Sequence, residues 1–141
     1  MLAAVVAAAG LIVPQVGIHG VSLGSTQQHV VARLGHPAHV RLVHGGPVTE
    51  RLFRYPHHRV WFVSRHVVQV ETTTAHDRTA SHVGVGSTEA QLRAGVAHLR
   101  CATEGGVRHC HLGRFLAGRI VTDFFLRSGH VSRVVVGRVI D

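Results

Sequence analysis

Val21-Ser22-Leu23-Gly24-Ser25-Thr26 returns later in the chain as Val83-Gly84-Val85-Gly86-Ser87-Thr88. Self-similarity at a fixed period is the first thing to settle about a fold, because each copy is a structural unit that buries its apolar face against the next. Both copies run on into a short helical pattern and then into apolar strands. The reading is an α+β fold of two tandem repeats, each a helical segment packed on a three-stranded antiparallel sheet. Residues 1–16 form a signal peptide or leader, 17–75 the first repeat and 76–141 the second.

Thr26 and Thr88 are placed as helix N-caps, since a hydroxyl there can accept from an otherwise unpaired backbone N–H. Val30 and Leu34 follow Thr26 at helical spacing, and Gly35 with Pro37 stops that helix. Gln91, three residues after Thr88, completes a capping-box pattern, and Leu92, Val96 and Leu99 make the apolar stripe. The strands of the first repeat are 51–55, 59–63 and 67–72, and those of the second are 107–112, 120–126 and 131–136. Residues 72–81 connect the two.

The chain has 141 residues, is 45% hydrophobic and carries a formal charge of +8. It can bury a core and is not of the disordered class. Every basic residue is Arg, none is Lys, and the arginines are scattered from Arg33 to Arg138. A dispersed, Arg-only charge fits an acidic protein or an anionic envelope polymer better than nucleic acid. The apolar run from Leu2 to Val13 has the length of a signal-peptide core, about 7–15 residues, and is too short for a membrane-spanning helix of about 20. It lacks a preceding positive charge, which leaves a buried helix or strand as the alternative to a secretory signal, and no Cys follows it as a lipid anchor. Export would place Cys101 and Cys110 in an oxidising compartment, where paired cysteines form a disulfide.

The first copy reads Gly24-x-Thr26-x3-Val30-x3-Leu34-Gly35-x-Pro37, then Tyr55, then Val60-x-Phe62-x4-Val67. This pattern resembles the BamE/SmpA-type envelope modules and the related fold of the secreted β-lactamase inhibitor protein. The resemblance implies tandem copies of a helical hairpin on a sheet, with the sheet as a concave protein-binding surface and no catalytic group. The second copy replaces Leu-Gly-x-Pro by Val96-Ala97-His98-Leu99. The whole chain is also similar to secreted proteins of GC-rich bacteria, which implies an extracellular or cell-envelope address but no activity.

Gly20-Val21-Ser22-Leu23-Gly24 fits the Gly-x-Ser-x-Gly nucleophile elbow, but that elbow needs a parallel α/β sheet, and the position matching Ser22 is Gly84. The 14 histidines invite a metal reading. The best cluster is His98, Cys101, His109, Cys110 and His111, a nitrogen and sulfur set suited to zinc. Strand alternation opposes it, because His109 and His111 share one face while Cys110 points to the other. His57 and His58 lie in a turn without a carboxylate close in sequence, and Glu71, Asp77 and Asp123 form no visible pair. No catalytic residue, cofactor or metal ligand is assigned.

Alternation also sets Trp61 and Phe125 opposite the Phe62 and Phe124 face. The expected binding surface is Trp61, Val63 and Phe125, with Arg59 and Arg133 among a charged rim that includes Arg65 and Asp123. The expected function is an exported, non-enzymatic protein-binding module of the bacterial envelope. A module holding an anionic envelope polymer is the alternative, and a small hydrolase the distant one.

Overall fold

Runs of alternating apolar residues make strand the dominant element of this chain. A computed structural model describes residues 10–44 and 46–140. Three two-residue strands come first: β1 (Ile12–Val13), β2 (Gly17–Ile18) and β3 (Val21–Ser22) form a small antiparallel sheet. Helix α1 (Gln27–Leu34) precedes β4 (His39–Val43), β5 (Glu50–Arg54), β6 (His58–Val63) and β7 (His66–Thr72). Helix α2 (Glu89–Gly95) precedes β8 (Arg100–Glu104), β9 (Val107–Leu112), β10 (Ile120–Arg127) and β11 (His130–Arg138).

The eight long strands form one antiparallel sheet in the order β4-β5-β6-β7-β11-β10-β9-β8. This corrects the expected fold class. The chain is mainly β, with two short helices among the described residues, and is not a pair of α+β repeats each with its own three-stranded sheet. The physical reason is the pairing of β7 with β11, from Thr72 opposite Val134 to Gln69 opposite Gly137. A strand left unpaired at an edge exposes a row of N–H and C=O groups, and this pairing removes two such edges at once. The expectation also missed β4 and β8. Both lie at the sheet edges and are largely exposed; β8 lacks the apolar alternation of a half-buried strand, whereas β4 has it in Val40 and Leu42, between the helix stop at Gly35-x-Pro37 and the Gly45-Gly46-Pro47 turn.

The helices and the small sheet cover one face of the large sheet. The core between the layers holds Ile12, Ile18 and Val21 from the small sheet, Val30 and Leu92 from the helices, and Phe62, Val70, Phe124, Val134 and Val136 from the large sheet. Residues 10–16, the last part of the expected leader, belong to this layer: Ile12 N–H donates to Arg78 O, and Gln15 exchanges hydrogen bonds with Thr122. Residues 1–9 lie outside the described residues. No described helix is long and apolar enough to cross a membrane.

The two helix starts form as their sequences dictate. Thr26 accepts from His29 N–H, and Thr88 and Gln91 close a reciprocal capping box. Gly35 ends α1 at φ +81°, a conformation that favours glycine. Tyr55 OH donates to the Gly35 carbonyl at 2.9 Å. The spaced motif of the first copy is thus made of caps and core residues.

Glu89, in the first turn of α2, accepts from Arg108 Nε at 2.8 Å and Nη2 at 3.1 Å, and from Arg93. The Arg108 hydrogen bonds hold its carboxyl down at about 2 against the opposing effect of burial. A folded-state pKa below the unfolded one stabilises above the unfolded value, and that stability is lost as pH falls toward 2. Glu89→Gln should therefore lower the melting temperature at pH 7 and leave it unchanged near pH 2. Melts of both proteins across that range check it, and an equal deficit at both ends refutes it.

Candidate functional site

The face of the large sheet opposite the core is the first candidate. The two halves join edge to edge through β7 and β11, so neither covers the other's outer face. Alternation places Arg59, Trp61 and Val63 of β6, Phe125 of β10 and Arg133 of β11 together on this face. Trp61, Val63 and Phe125 are half-buried, while Arg59 and Arg133 are exposed. Trp61 lies three strands from Phe125 and, by register, in the row of Val121, so the two aromatics stand about 20 Å apart on the diagonal at the usual strand spacing and rise.

Register builds a cross-strand stack around Phe125. Arg133 and His109 are its partners on the neighbouring strands. The Arg133 guanidinium lies 3.9 Å from the Phe125 ring centroid, a cation–π contact, and the His109 ring is nearly parallel to Phe125 at 5.9 Å. His111 stacks on His109, and Phe115 from the following loop meets both. Beside the stack is a cleft of about 390 Å³, lined by Phe115, Val121, Asp123, Phe125, Arg133 and Val135.

Two of the expected rim arginines have a partner that the sequence reading left single. Glu71, almost fully buried, accepts from Arg133 Nη1 at 2.9 Å and faces Arg59 Nε at 3.8 Å. Asp123 lies against His109 Nδ1 at 2.9 and 3.1 Å. Burial pushes the Asp123 carboxyl up, and the His109 hydrogen bond opposes that shift without cancelling it.

A second cluster lies away from this face. His19, in the turn between β2 and β3, His58, at the start of β6, and Asp77, in the connection between the halves, come together. His19 Nδ1 stands 2.8 Å from Asp77 Oδ1, and His58 Nε2 stands 2.6 Å from Oδ2. The Thr72 hydroxyl donates to the same Oδ2. Asp77 is fully buried. Burial pushes its carboxyl up, but the hydrogen bonds from His58, Thr72 and His19 prevail and bring it to about 2. These ligand atoms all lie within 4.8 Å of one another, and two nitrogens with a carboxylate can hold a divalent ion. His19 at φ +55° and Gly20 at φ +76° make the two-residue turn between β2 and β3, a left-handed conformation that histidine adopts more readily than most residues. Sequence reasoning missed this cluster because it sought a carboxylate near His58 along the chain.

Of the other expected groups, Cys101 and Cys110 form a disulfide across β8 and β9, so their sulfurs do not join His98, His109 and His111 as ligands. At the Gly-x-Ser-x-Gly segment, His29 Nε2 bonds to the Gly20 carbonyl and not to the Ser22 hydroxyl. A Cβ at Gly84, the position that matches Ser22, would run into the Asp77 carbonyl oxygen.

The fold is similar to that of three solved structures. YfeY of Escherichia coli matches with a TM-score of 0.58 and 11% identity, over 88% of this chain and 97% of its own. An extracellular protein containing an SCP domain from Bacillus anthracis matches with a TM-score of 0.54 and 8% identity, over 82% of this chain. A cysteine-rich secretory protein from Staphylococcus aureus matches with a TM-score of 0.50 and 12% identity, again over 82%. This chain spans 44% of the length of each of these last two. No family model matches the sequence, and no curated relative is found for it. These neighbours and the single large sheet overturn the resemblance to BamE/SmpA-type and β-lactamase-inhibitor-protein-like tandem modules. The capped helix and Leu-Gly-x-Pro stop that carried it are local structure, which another arrangement of strands accommodates equally well.

Proposed function

We propose that this chain is an exported, non-enzymatic module that binds another protein on the outer face of its large sheet. The observation that carries the reading is the half-exposed aromatic stack of Phe125, with Arg133 over it and an open cleft beside it. Aromatic residues and Arg are the side chains most enriched among interface hot spots. The disulfide supports an oxidising compartment, and two fold neighbours carry descriptions as extracellular or secretory proteins. The pairing of Arg59 and Arg133 with Glu71 disfavours the alternative of an anionic polymer, because each polymer contact would compete with an internal carboxylate.

The test uses the full chain immobilised and exposed to an envelope extract, beside Trp61→Ala and Phe125→Ala. Capture of a protein should survive high salt, which screens exposed charge contacts. Each substitution should weaken it by about 2 kcal/mol, roughly 30-fold, as truncation of a hot spot does. Trp61→Ala should leave the melting temperature nearly unchanged. Capture that disappears at high salt, or that neither substitution affects, overturns the reading.

A further inference from the structure

We infer that His19, His58 and Asp77 form a binding site for a divalent transition-metal ion of the zinc type. Three segments far apart in the chain deliver two imidazole nitrogens and one carboxylate to a common point, with all ligand atoms within 4.8 Å of one another. The donor set discriminates between metals. Calcium and magnesium take oxygen ligands, whereas two imidazoles and a carboxylate suit zinc. Two ligands on a tetrahedral zinc, at about 2.0–2.1 Å each, stand about 3.3 Å apart. The nitrogen–oxygen separations here are 2.8 and 2.6 Å, so the imidazoles of His19 and His58 need to withdraw by about 0.5 and about 0.7 Å. In doing so, the His58 nitrogen facing Asp77 passes its proton to the other nitrogen of its ring, and His19 Nδ1 gives up the Gly10 N–H that it accepts at 3.2 Å, so that both lone pairs turn to the ion.

The surroundings are those of a ligand set held in place. Thr72, itself fully buried, donates its hydroxyl to Asp77 Oδ2 and fixes the carboxylate from outside, the role that outer hydrogen-bond partners have at metal sites. The side chain of His19 is 31% exposed and that of His58 11%, so an ion can enter from the His19 side and keep a water in its fourth position. The site lies apart from Trp61 and Phe125, and its metal affinity is measured without any protein partner.

The experiment titrates the full chain with Zn²⁺ by calorimetry and with Co²⁺ by absorption, beside His19→Ala, His58→Ala, Thr72→Val and the exposed control His36→Ala. The wild-type chain should bind one equivalent far more tightly than any further ones. Thr72→Val should weaken that site roughly 10–100-fold, the usual cost of losing an outer partner, and loss of either imidazole should cost more. His36→Ala should bind as wild type does. Melting curves without metal identify any variant that fails to fold. For that case, the histidine ring resonances of the wild-type chain are followed during the Zn²⁺ titration, and those of His19 and His58 should shift first. No distinct first equivalent, unchanged affinity in a folded His19→Ala chain, or first shifts at other histidines would each overturn the assignment.

Discussion

Phe124→Ala should destabilise the protein by about 3–5 kcal/mol, the cost of removing a core aromatic. Phe124 is fully buried in β10, with Val134 and Cys110 as its register partners. Its ring fills the space between the large sheet and the covering layer, and alanine would leave a cavity that the sheet backbone cannot close. The adjacent Phe125 provides the internal comparison. It points to the opposite face and is half-buried, so Phe125→Ala gives up mainly its contacts with Arg133 and His109, about 1 kcal/mol. Denaturant midpoints for the two single variants decide the matter. Equal losses, or the reverse order, would mean that the faces are assigned the wrong way round.

Reduction of the Cys101–Cys110 bridge should cost about 2–3 kcal/mol, from the chain entropy regained by a short closed loop. The two cysteines are nine residues apart and directly opposite in the β8–β9 hairpin. Strand β8 has a partner on one side only, so the bridge holds an edge strand that has no second neighbour in the sheet. Mass spectrometry of the intact chain after alkylation should find two labelled thiols only when reductant is present. The denaturant midpoint should then fall on reduction. Two labelled thiols without reductant, or an unmoved midpoint, would refute the expectation.

What was legible in the sequence was local. Thr26 and Thr88 were readable as caps because their partners sit three residues away, and β5 with β6, β6 with β7, and β10 with β11 because each pair closes over a short turn. The face carrying Trp61 and Phe125 followed from a period of two, which needs no knowledge of neighbouring strands. The join of the two halves was not legible, since nothing near Val70 or Val136 states that these strands pair. His58 lies 19 residues from Asp77, and His19 lies 58 away. No spacing rule connects such positions, and a turn histidine reads as solvated until the fold brings a carboxylate to it.

The seam between β7 and β11 also governs how the large sheet can form. Each other strand pair within a half closes over a turn or a short loop, so its residues meet soon after collapse begins. The seam brings Gln69 to Gly137 and Thr72 to Val134, and the entropy of closing that long loop has to be met before any contact across it contributes. The long-range ordering cost of the sheet is therefore concentrated in one pairing at its centre. Non-local pairings slow the folding of β proteins, and in this sheet the seam is the pairing that does so. Until the seam closes, β7 and β11 are both open edges, and that interval is when this chain is most exposed to pairing with another molecule.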